Sequence, residues 1–318
     1  MNLKAFLPKI KKNVLLKNHT TIKIGGQAKY LFEAKTKEDL ILAIKTAKKL
    51  KLPFFILGGG SKLLVADQGF KGLIIKVQSS PKESLRFPTG QAKSRTVYAE
   101  AGVSLASIVL EAKENSLTGL EWAIGIPGTI GGAVRGNTGA FGKSIGDLVK
   151  EVEVFDSKKQ EIKTFEKKDC NFGYRESIFK ENSNLFVLSV KIRLKKRKKS
   201  EMEKEINEYL NYRKKIQPLN FPSSGSIFKN PSPSQVFLKK FGRASGFSAA
   251  ELIEKCKLKG KKIGNVKISE KHANFIVNLG NGKAKDVKKL INLAKKKVKE
   301  KFGVNLKEEI QYLGFKNK

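Results

Sequence analysis

The chain has 318 residues, of which 40% are hydrophobic and 30% are charged, and its formal net charge is +36. This length accommodates two or three domains with a sizeable core, and this composition excludes a disordered chain. No apolar run approaches the ~18 residues that a membrane span requires. Residues 1–16 are basic and hold no apolar stretch long enough for a signal peptide, so we expect a cytoplasmic location.

The positive charge and the cysteines each admit a functional interpretation. Lys and Arg displace counterions from phosphates, so a strongly basic chain suggests nucleic-acid binding. Here the basic residues are spread along the whole chain without interleaved aromatics, which favours solvated lysine faces and predicts no nucleic-acid partner. The same field would attract an anionic small substrate. Cys170 and Cys256 lie far apart and outside any CxxC pair, so we expect spectator thiols, with no disulfide framework and no zinc site.

The first part of the chain mixes strand and helix patterns. Thr36 is placed to cap a helix, and strict alternation of apolar residues over 186–194 predicts a half-buried strand. The pattern also predicts strands at 52–57, 72–77 and 96–101, and a helix at 104–115.

The all-basic run 195–199 marks a boundary, because a new helix signal follows it. Ser200 and Glu203 form a capping-box pattern that predicts a helix to about residue 215, with Ile206, Tyr209 and Leu210 on its apolar face.

The last third contains three further elements. A second capping box, Ser248 with Glu251, predicts a helix start, and apolar spacing predicts a long helix near 284–302. Alternation then predicts a closing strand over 304–313. The pattern is that of an α+β protein with two lobes. No GxGxxG motif opens a helix after a first strand, so a nicotinamide-binding Rossmann domain is not supported.

Two glycine-rich loops are the strongest chemical signals. Glycine permits positive φ and close approach of main chain to a ligand, and successive N–H groups can form a nest for a pyrophosphate. Alone, the loop at 57–61 could equally be a tight structural turn. Residues 125–142 hold seven glycines and one proline, which a packed strand would not tolerate and a ligand-binding loop would.

A series of sequence blocks, in this order, resembles the UDP-N-acetylenolpyruvoylglucosamine reductase family. The first are 18–26 (NHTTIKIGG), 57–61 (LGGGS) and 125–133 (GIPGTIGGA). The later ones are 173–177 (GYRES), 224–231 (SGSIFKNP), 250–254 (AELIE), 258–260 (LKG) and 269–275 (SEKHANF). The resemblance runs from about residue 17 to 314. The short spacing from Tyr174 to Ser226 is similar to that of the family's second type.

The resemblance implies an α+β fold in which a two-subdomain FAD-binding domain of the vanillyl-alcohol-oxidase (PCMH) type precedes a smaller α+β substrate-binding domain. The implied domains are 17–197, with subdomains at about 17–78 and 79–197, and 200–318. Since the glycine loop has no histidine, we expect non-covalent FAD. The residues expected to hold it are Leu57, Gly58, Gly59, Gly60, Ser61, Lys62, Gly125, Ile126, Pro127, Gly128, Gly131, Gly132, Ala133, Asn137, Gly139 and Ala140.

The resemblance also implies a reaction, the reduction of UDP-N-acetylglucosamine enolpyruvate to UDP-N-acetylmuramate in peptidoglycan precursor synthesis. NADPH reduces FAD, and a hydride then reaches C3 of the enolpyruvyl group, which leaves charge at C2 that needs a proton and stabilisation. Ser226 matches the family's proton donor, Arg175 its essential arginine and Glu309 its catalytic glutamate. Glu308 lies in the other register, so a shift of one residue would exchange the two glutamates.

Substrate contacts are expected from Tyr174, Arg175, Lys229, Asn230 and Arg213, although residues 213–215 could equally be a solvated helix end. We expect a monomer.

One position departs from the family pattern. Lys62 stands where the family commonly has Asn, and it could pair with the flavin pyrophosphate or point to solvent.

Two other functions compete with this interpretation. A related flavin oxidase acting on another substrate would have no reason to carry Arg175, Ser226 and Glu309 together. A basic nucleic-acid-binding protein would be colourless and would bind duplex DNA with a steep salt dependence.

Overall fold

The computed structural model describes residues 3–88, 94–232 and 247–315. The chain packs as two compact units. The first comprises residues 1–14, 29–59 and 71–213, and the second comprises 15–28, 60–70 and 214–318. The predicted domain ranges 17–197 and 200–318 stay a prediction, and the packing units differ from them because two early segments join the last third of the chain.

Apart from four (27–34, 70–77, 149–156 and 185–196), which have eight or more residues, the strands of the described residues are shorter than eight residues. In chain order they are β1 (Lys11–Leu15), β2 (Gln27–Ala34), β3 (Phe54–Leu57), β4 (Leu63–Val65), β5 (Phe70–Val77), β6 (Leu85–Arg86), β7 (Ser94–Glu100), β8 (Leu117–Thr118), β9 (Gly139–Ala140), β10 (Lys143–Ser144), β11 (Val149–Asp156), β12 (Glu161–Glu166), β13 (Leu185–Lys196), β14 (Ser223–Ser226), β15 (Lys262–Ile263), β16 (Val266–Ile268), β17 (Phe275–Asn278) and β18 (Gln311–Leu313).

The helices connect these strands. They are α1 (Leu3–Phe6), α2 (Lys37–Lys49), α3 (Pro81–Ser84), α4 (Leu105–Glu114), α5 (Ile130–Arg135), α6 (Ile145–Leu148), α7 (Ile178–Glu181), α8 (Lys199–Ile216), α9 (Ala249–Lys255) and α10 (Ala284–Phe302), with 3₁₀ turns at Leu16–His19, Glu121–Ala123 and Lys167–Cys170.

Two sheets organise the first unit. One has the order β1-β2-β5-β3, with β3 and β5 parallel, and the glycine loop follows directly from β3. The other has the order β12-β11-β13-β7-β6 and is antiparallel, with β8 paired to the end of β13. The core of this unit buries Trp122, Phe155 and Phe179 almost completely. The sheets therefore hold both glycine-rich loops on a packed framework.

The second unit is built around the sheet β14-β17-β16-β15 and the parallel pair β18-β4. Two early segments are bound into it. The Asp67 carboxylate accepts hydrogen bonds from the N–H groups of Ala284 (2.8 Å) and Lys285 (3.1 Å) at the start of α10. The Asn278 amide donates to the Ile22 carbonyl at 3.0 Å. These contacts explain why residues 15–28 and 60–70 pack with the last third of the chain.

Several predicted elements are confirmed with their physical causes. Thr36 and Ser248 each cap their helix in a full capping box, with Asp39 and Glu251 respectively. The helix predicted over 104–115 is α4 (Leu105–Glu114), and Ser104 caps it. The long helix spans Ala284–Phe302, as the apolar spacing predicts.

Three local predictions are wrong. Ser200 is the second residue of α8, so it does not cap that helix. Leu210, expected on the apolar face of α8, is 40% exposed, whereas Met202 and Ile206 are buried. The closing strand covers Gln311–Leu313 rather than 304–313, because Lys307 and Glu309 make backbone hydrogen bonds with Lys229 and Ile227 in the irregular segment that follows β14.

The cysteines are consistent with spectator thiols. Cys170 is buried, and burial raises the pKa of its thiol to about 12. Burial also raises the pKa of Cys256, which is half-buried. Neither thiol is therefore activated as a nucleophile, which requires a lowered pKa.

The helices of the described residues do not meet the requirements of a membrane span. No helix there combines the length and the apolar character that crossing a membrane requires.

Candidate active site

The first glycine loop packs against the second within the first unit. A Cβ on Gly59 would lie 2.7 Å from the Cα of Gly128, and a Cβ on Gly58 would lie 2.7 Å from the Thr129 hydroxyl oxygen. Distances under 3.0 Å are not tolerated by real Cβ atoms, so at both positions only glycine permits this approach. The two loops that the sequence singled out therefore meet backbone to backbone.

The N–H groups at the tip of this loop are available to a ligand. Among the described residues, the backbone N–H groups of Gly59, Gly60 and Ser61 donate no hydrogen bond to the protein. Gly60 has φ +64°, and a Cβ there would lie 2.1 Å from the His19 carbonyl oxygen. Successive unpartnered N–H groups form the kind of concavity that binds anions. The loop thus fits a pyrophosphate, such as that of FAD.

The second loop leads into the short helix α5. Thr129 caps this helix, and its hydroxyl accepts from the Gly132 N–H. A Cβ on Gly131 would lie 2.6 Å from the Ala101 Cβ, so this glycine lets the helix sit directly on the neighbouring backbone. Gly132 meets nothing closer than 3.7 Å and is exposed, so its open face can take a ligand.

Asn137 is buried, and its amide is engaged within the protein. Its Nδ2 donates to the Gly173 carbonyl (2.8 Å) and its Oδ1 accepts from the Gly146 N–H (3.0 Å). Its predicted cofactor contact stays a prediction. The observed role of this side chain is to hold the turn that begins at Gly173.

Substituting Gly59 tests the contact between the two loops. We expect Gly59→Ala to weaken FAD binding by roughly 5- to 150-fold, because overpacking a rigid contact costs about 1–3 kcal/mol. The measurement is the Kd of FAD for apoprotein, by fluorescence quenching. Gly136→Ala is the matched control, since its Cβ would meet only the Gly132 carbonyl oxygen, at 3.5 Å. Equal FAD affinity in the two variants would contradict the interpretation.

Tyr174 and Arg175 form the tip of a tight turn in the first unit. Gly173 and Glu176 exchange two backbone hydrogen bonds across it. Arg175 has φ +61°, which a branched or long side chain rarely adopts, and its guanidinium donates to the Gly139 carbonyl at 2.7 Å. Strained backbone of this kind concentrates at functional sites. The turn therefore presents an exposed Tyr174 and an arginine in a fixed orientation.

Arg213 lies in the same unit and is buried rather than solvated. Its guanidinium donates to the Trp122 carbonyl (3.0 Å) and lies 5.3 Å from the Phe141 ring centroid. Its Nε has no hydrogen-bond partner among the described residues, and burial lowers the pKa of the guanidinium. The alternative of a solvated helix end is therefore wrong for Arg213, although its contact with substrate stays a prediction.

Ser226 is placed at the end of β14 in the second unit. Its position is fixed by pairing with Phe275 and by the hydrogen bond from the Ile227 N–H to the Asn274 carbonyl, at 2.8 Å. The preceding Gly225 has φ +66° and lies within β14, where the pairing register shifts between Ser223 and Ser226. Ser226 is therefore held in a turn and remains partly accessible.

Glu309 and Lys62 form an ion pair beside Ser226. The Lys62 ammonium lies 3.1 Å from Glu309 Oε1 and donates to the Ser226 carbonyl oxygen at 2.7 Å. The Glu309 side chain is only 13% exposed. The Glu309 N–H donates to the Ile227 carbonyl, which fixes the backbone of Glu309 beside the residue that follows Ser226. Two predicted catalytic residues thus share one lysine.

Glu308 takes a separate role. Its carboxylate pairs with Lys295 at 2.7 Å on the long helix α10. Burial, together with a hydrogen bond to Glu308, raises the pKa of Tyr312. The geometry therefore favours Glu309 over its neighbour as the site residue.

Lys229 and Asn230 continue from Ser226. The Lys229 N–H bonds to the Lys307 carbonyl (2.9 Å), and the Asn230 side chain accepts from the Ala249 N–H (3.1 Å) at the start of α9. Both residues are therefore fixed near the β14 turn, and their predicted substrate contacts stay predictions.

Comparison with known proteins identifies the family. The model of the UDP-N-acetylenolpyruvoylglucosamine reductase C-terminal domain matches residues 217–313, and the model of an FAD binding domain matches 28–165. The UDP-N-acetylenolpyruvoylglucosamine reductase of Caldanaerobacter subterraneus is 40% identical over 96% of this chain and 93% of its own length. The corresponding reductase of Carboxydothermus hydrogenoformans is 40% identical over 95% and 93%.

A solved structure agrees with these sequence matches. The reductase of Thermus caldophilus superposes with a TM-score of 0.75 at 33% identity, over 96% of this chain and 99% of its own. This chain belongs to the UDP-N-acetylenolpyruvoylglucosamine reductase family. The resemblance inferred from the sequence blocks is thereby confirmed, together with the α+β fold class in which an FAD-binding domain precedes a distinct C-terminal domain.

Sequence reasoning missed the contacts of Lys62. The only signal was its departure from the Asn that the family resemblance led us to expect, and it predicted either a flavin contact or solvent. The structure joins Lys62 to Ser226 and Glu309, and its contact with the flavin stays a prediction. In this member of the reductase family, the residue after the glycine loop therefore belongs to the group that includes Ser226.

Proposed function

We propose that this chain reduces UDP-N-acetylglucosamine enolpyruvate to UDP-N-acetylmuramate in the cytoplasm, with NADPH as hydride donor and non-covalent FAD as cofactor. The observation that carries the proposal is the convergence of Ser226 and Glu309 on the Lys62 ammonium, at positions where the family match places a proton donor and a glutamate. The reductase family membership supplies the substrate class.

FAD would be held by the glycine loops. The N–H groups of Gly59, Gly60 and Ser61, which have no partner among the described residues, suit its pyrophosphate, and Gly132 offers exposed backbone on which a Cβ would meet nothing closer than 3.7 Å. When bound, FAD supplies the redox step by taking up a hydride from NADPH and passing it to the substrate.

The chain itself supplies the proton and the charge stabilisation. Reduction of the enolpyruvyl double bond adds a hydride at C3 and a proton at C2. Ser226 donates that proton through its hydroxyl, in a turn whose carbonyl is held by Lys62. Glu309, fixed beside it, orients the reacting group and assists the developing charge.

Basic and polar side chains bind the anionic substrate. Arg175 matches the substrate carboxylate because its guanidinium fork makes two parallel hydrogen bonds, and Tyr174 lies next to it. Lys229, Asn230 and Arg213 contact the remainder of the substrate, including its diphosphate. The enzyme acts as a monomer in two domains, 17–197 for FAD and 200–318 for substrate.

Purified protein tests the proposal directly. We expect a yellow preparation whose flavin is released by acid precipitation, rapid bleaching by NADPH in the absence of oxygen, and return of the colour when the enolpyruvyl substrate is added. Product formation is followed by mass spectrometry, since reduction adds two hydrogens. A colourless protein, or bleached flavin that the substrate does not reoxidise, would exclude the function.

A further inference from the structure

The geometry points to Lys62 as a positioning residue that aligns Ser226 and Glu309 for proton delivery to the substrate. This inference rests on the proposed function and assigns a role to a residue for which the family resemblance offered only a flavin contact or solvent. The supporting contacts all lie within the second unit.

The first support is that Lys62 reaches both partners with one ammonium group. It donates to the Ser226 carbonyl (2.7 Å) and pairs with Glu309 Oε1 (3.1 Å). The carbonyl contact fixes the backbone that carries the Ser226 hydroxyl. The carboxylate contact fixes the rotamer of a glutamate that is 13% exposed, where an ion pair is less screened than at the surface.

The second support is that the backbone of Lys62 is itself anchored to the segment that carries Glu309. The Gln311 N–H donates to the Lys62 carbonyl at 2.8 Å, and β18 continues from there in parallel with β4. The Glu309 N–H donates to the Ile227 carbonyl at 2.8 Å, next to Ser226. Three segments distant in sequence are thus joined at this point, with the ammonium between them.

The third support is that the ammonium lies close to the backbone of Gly225. A Cβ built on Gly225 would be in ordinary van der Waals contact with Lys62 Nζ, at 3.5 Å. The Lys62 side chain is 34% exposed, which means that most of its surface is covered. A lysine that merely pointed to solvent would show none of these contacts.

This role predicts a specific kinetic defect. A misplacement of reacting groups by about 1 Å can cost about 100-fold in rate. We expect Lys62→Met to slow reoxidation of the reduced flavin at saturating substrate by roughly 10- to 100-fold. The rate of flavin bleaching by NADPH should stay within about 3-fold of the parent, because proton delivery to the substrate has no part in that half-reaction. The substrate Kd of the oxidised enzyme should also change by less than about 3-fold. Lys62→Arg retains a cationic donor and should recover most of the rate.

A double-mutant cycle tests whether Lys62 acts through Glu309. In a Glu309→Gln background, Lys62→Met should slow reoxidation by less than about 3-fold further, because the partner that it aligns is already altered. Lys262→Met is the matched control, since Lys262 is an exposed lysine in the same unit, and it should leave both half-reactions unchanged. Thermal unfolding of each variant, followed by circular dichroism, reports on folding.

The possible outcomes separate this inference from the proposed function. If the parent enzyme forms no product, the function itself fails. If the parent is active but Lys62→Met reoxidises at the parent rate, or loses substrate affinity with an unchanged rate at saturation, the positioning role is wrong. Additive effects in the cycle would also overturn it. If Lys62→Met does not fold, the comparison of Lys62→Arg with Lys62→Gln decides, because only the former should keep the rate.

Discussion

Ser226→Ala is expected to lower the rate of substrate reduction at saturation by about 10²- to 10⁴-fold, the contribution of a positioned general acid. The substitution removes only a hydroxyl. The contacts that fix the turn come from the backbone of Ser226 and from Ile227, so they survive in the variant. The bleaching of the flavin by NADPH should stay within about 3-fold, because the hydroxyl has no part in that half-reaction. Rapid-mixing measurements of the two half-reactions separate these effects.

Ser224→Ala provides a control two residues away. The Ser224 hydroxyl is buried and has no hydrogen-bond partner among the described residues, so its removal breaks no observed contact. We expect both half-reactions of this variant to match the parent. If Ser226→Ala behaved like Ser224→Ala, Ser226 could not be the proton donor, and another group would have to protonate C2.

Arg175→Gly is expected to lower kcat/KM for the enolpyruvyl substrate by about 10²- to 10³-fold, the cost of removing one essential donor from a developing charge. Arg175→Lys keeps the charge but loses the guanidinium fork, so it should lose roughly 10- to 100-fold. Steady-state kinetics with varied substrate at saturating NADPH provide the measurement. The flavin spectrum and NADPH bleaching should remain close to those of the parent in both variants.

The backbone of Arg175 makes the glycine variant informative. With φ +61°, this residue occupies a conformation that costs an L-residue roughly 1–2 kcal/mol and costs glycine little. Relief of this strain offsets the lost hydrogen bond to Gly139 and the greater freedom of glycine in the unfolded chain. We therefore expect the free energy of unfolding to stay within about 1 kcal/mol of the parent. If Arg175→Gly kept the parent kcat/KM, the proposed role of Arg175 in binding the substrate would be wrong.

Local signals in the sequence predict the well-isolated elements of this fold. The cap at Thr36, the capping box at Ser248 and the spacing of the helix Ala284–Phe302 each depend on residues within one or two turns, and all three are confirmed. The glycine loops were also recognisable, because close backbone approach leaves a compositional trace. Their mutual packing at Gly59 and Gly128 follows from the same cause.

Elements whose partners are distant in sequence were less predictable. Alternation alone suggested a strand over 304–313, but the hydrogen bonds of Lys307 and Glu309 go to Lys229 and Ile227, which no local pattern reveals. The position of Lys62 beside Glu309 depends on the same tertiary pairing. The predicted helix cap at Ser200 is wrong because the helix already begins at Lys199, which makes Ser200 its second residue.

The parallel pairing of β4 with β18 has a consequence for biosynthesis. Leu64 and Val65 are completely buried, yet their strand partners, Tyr312 and Leu313, are translated almost 250 residues later. Until then the nascent chain carries an apolar strand with an open edge, which is the kind of surface that aggregates and recruits chaperones. The first unit can begin to fold on the ribosome, whereas the Lys62, Ser226 and Glu309 group can assemble only after Glu309 has been synthesised.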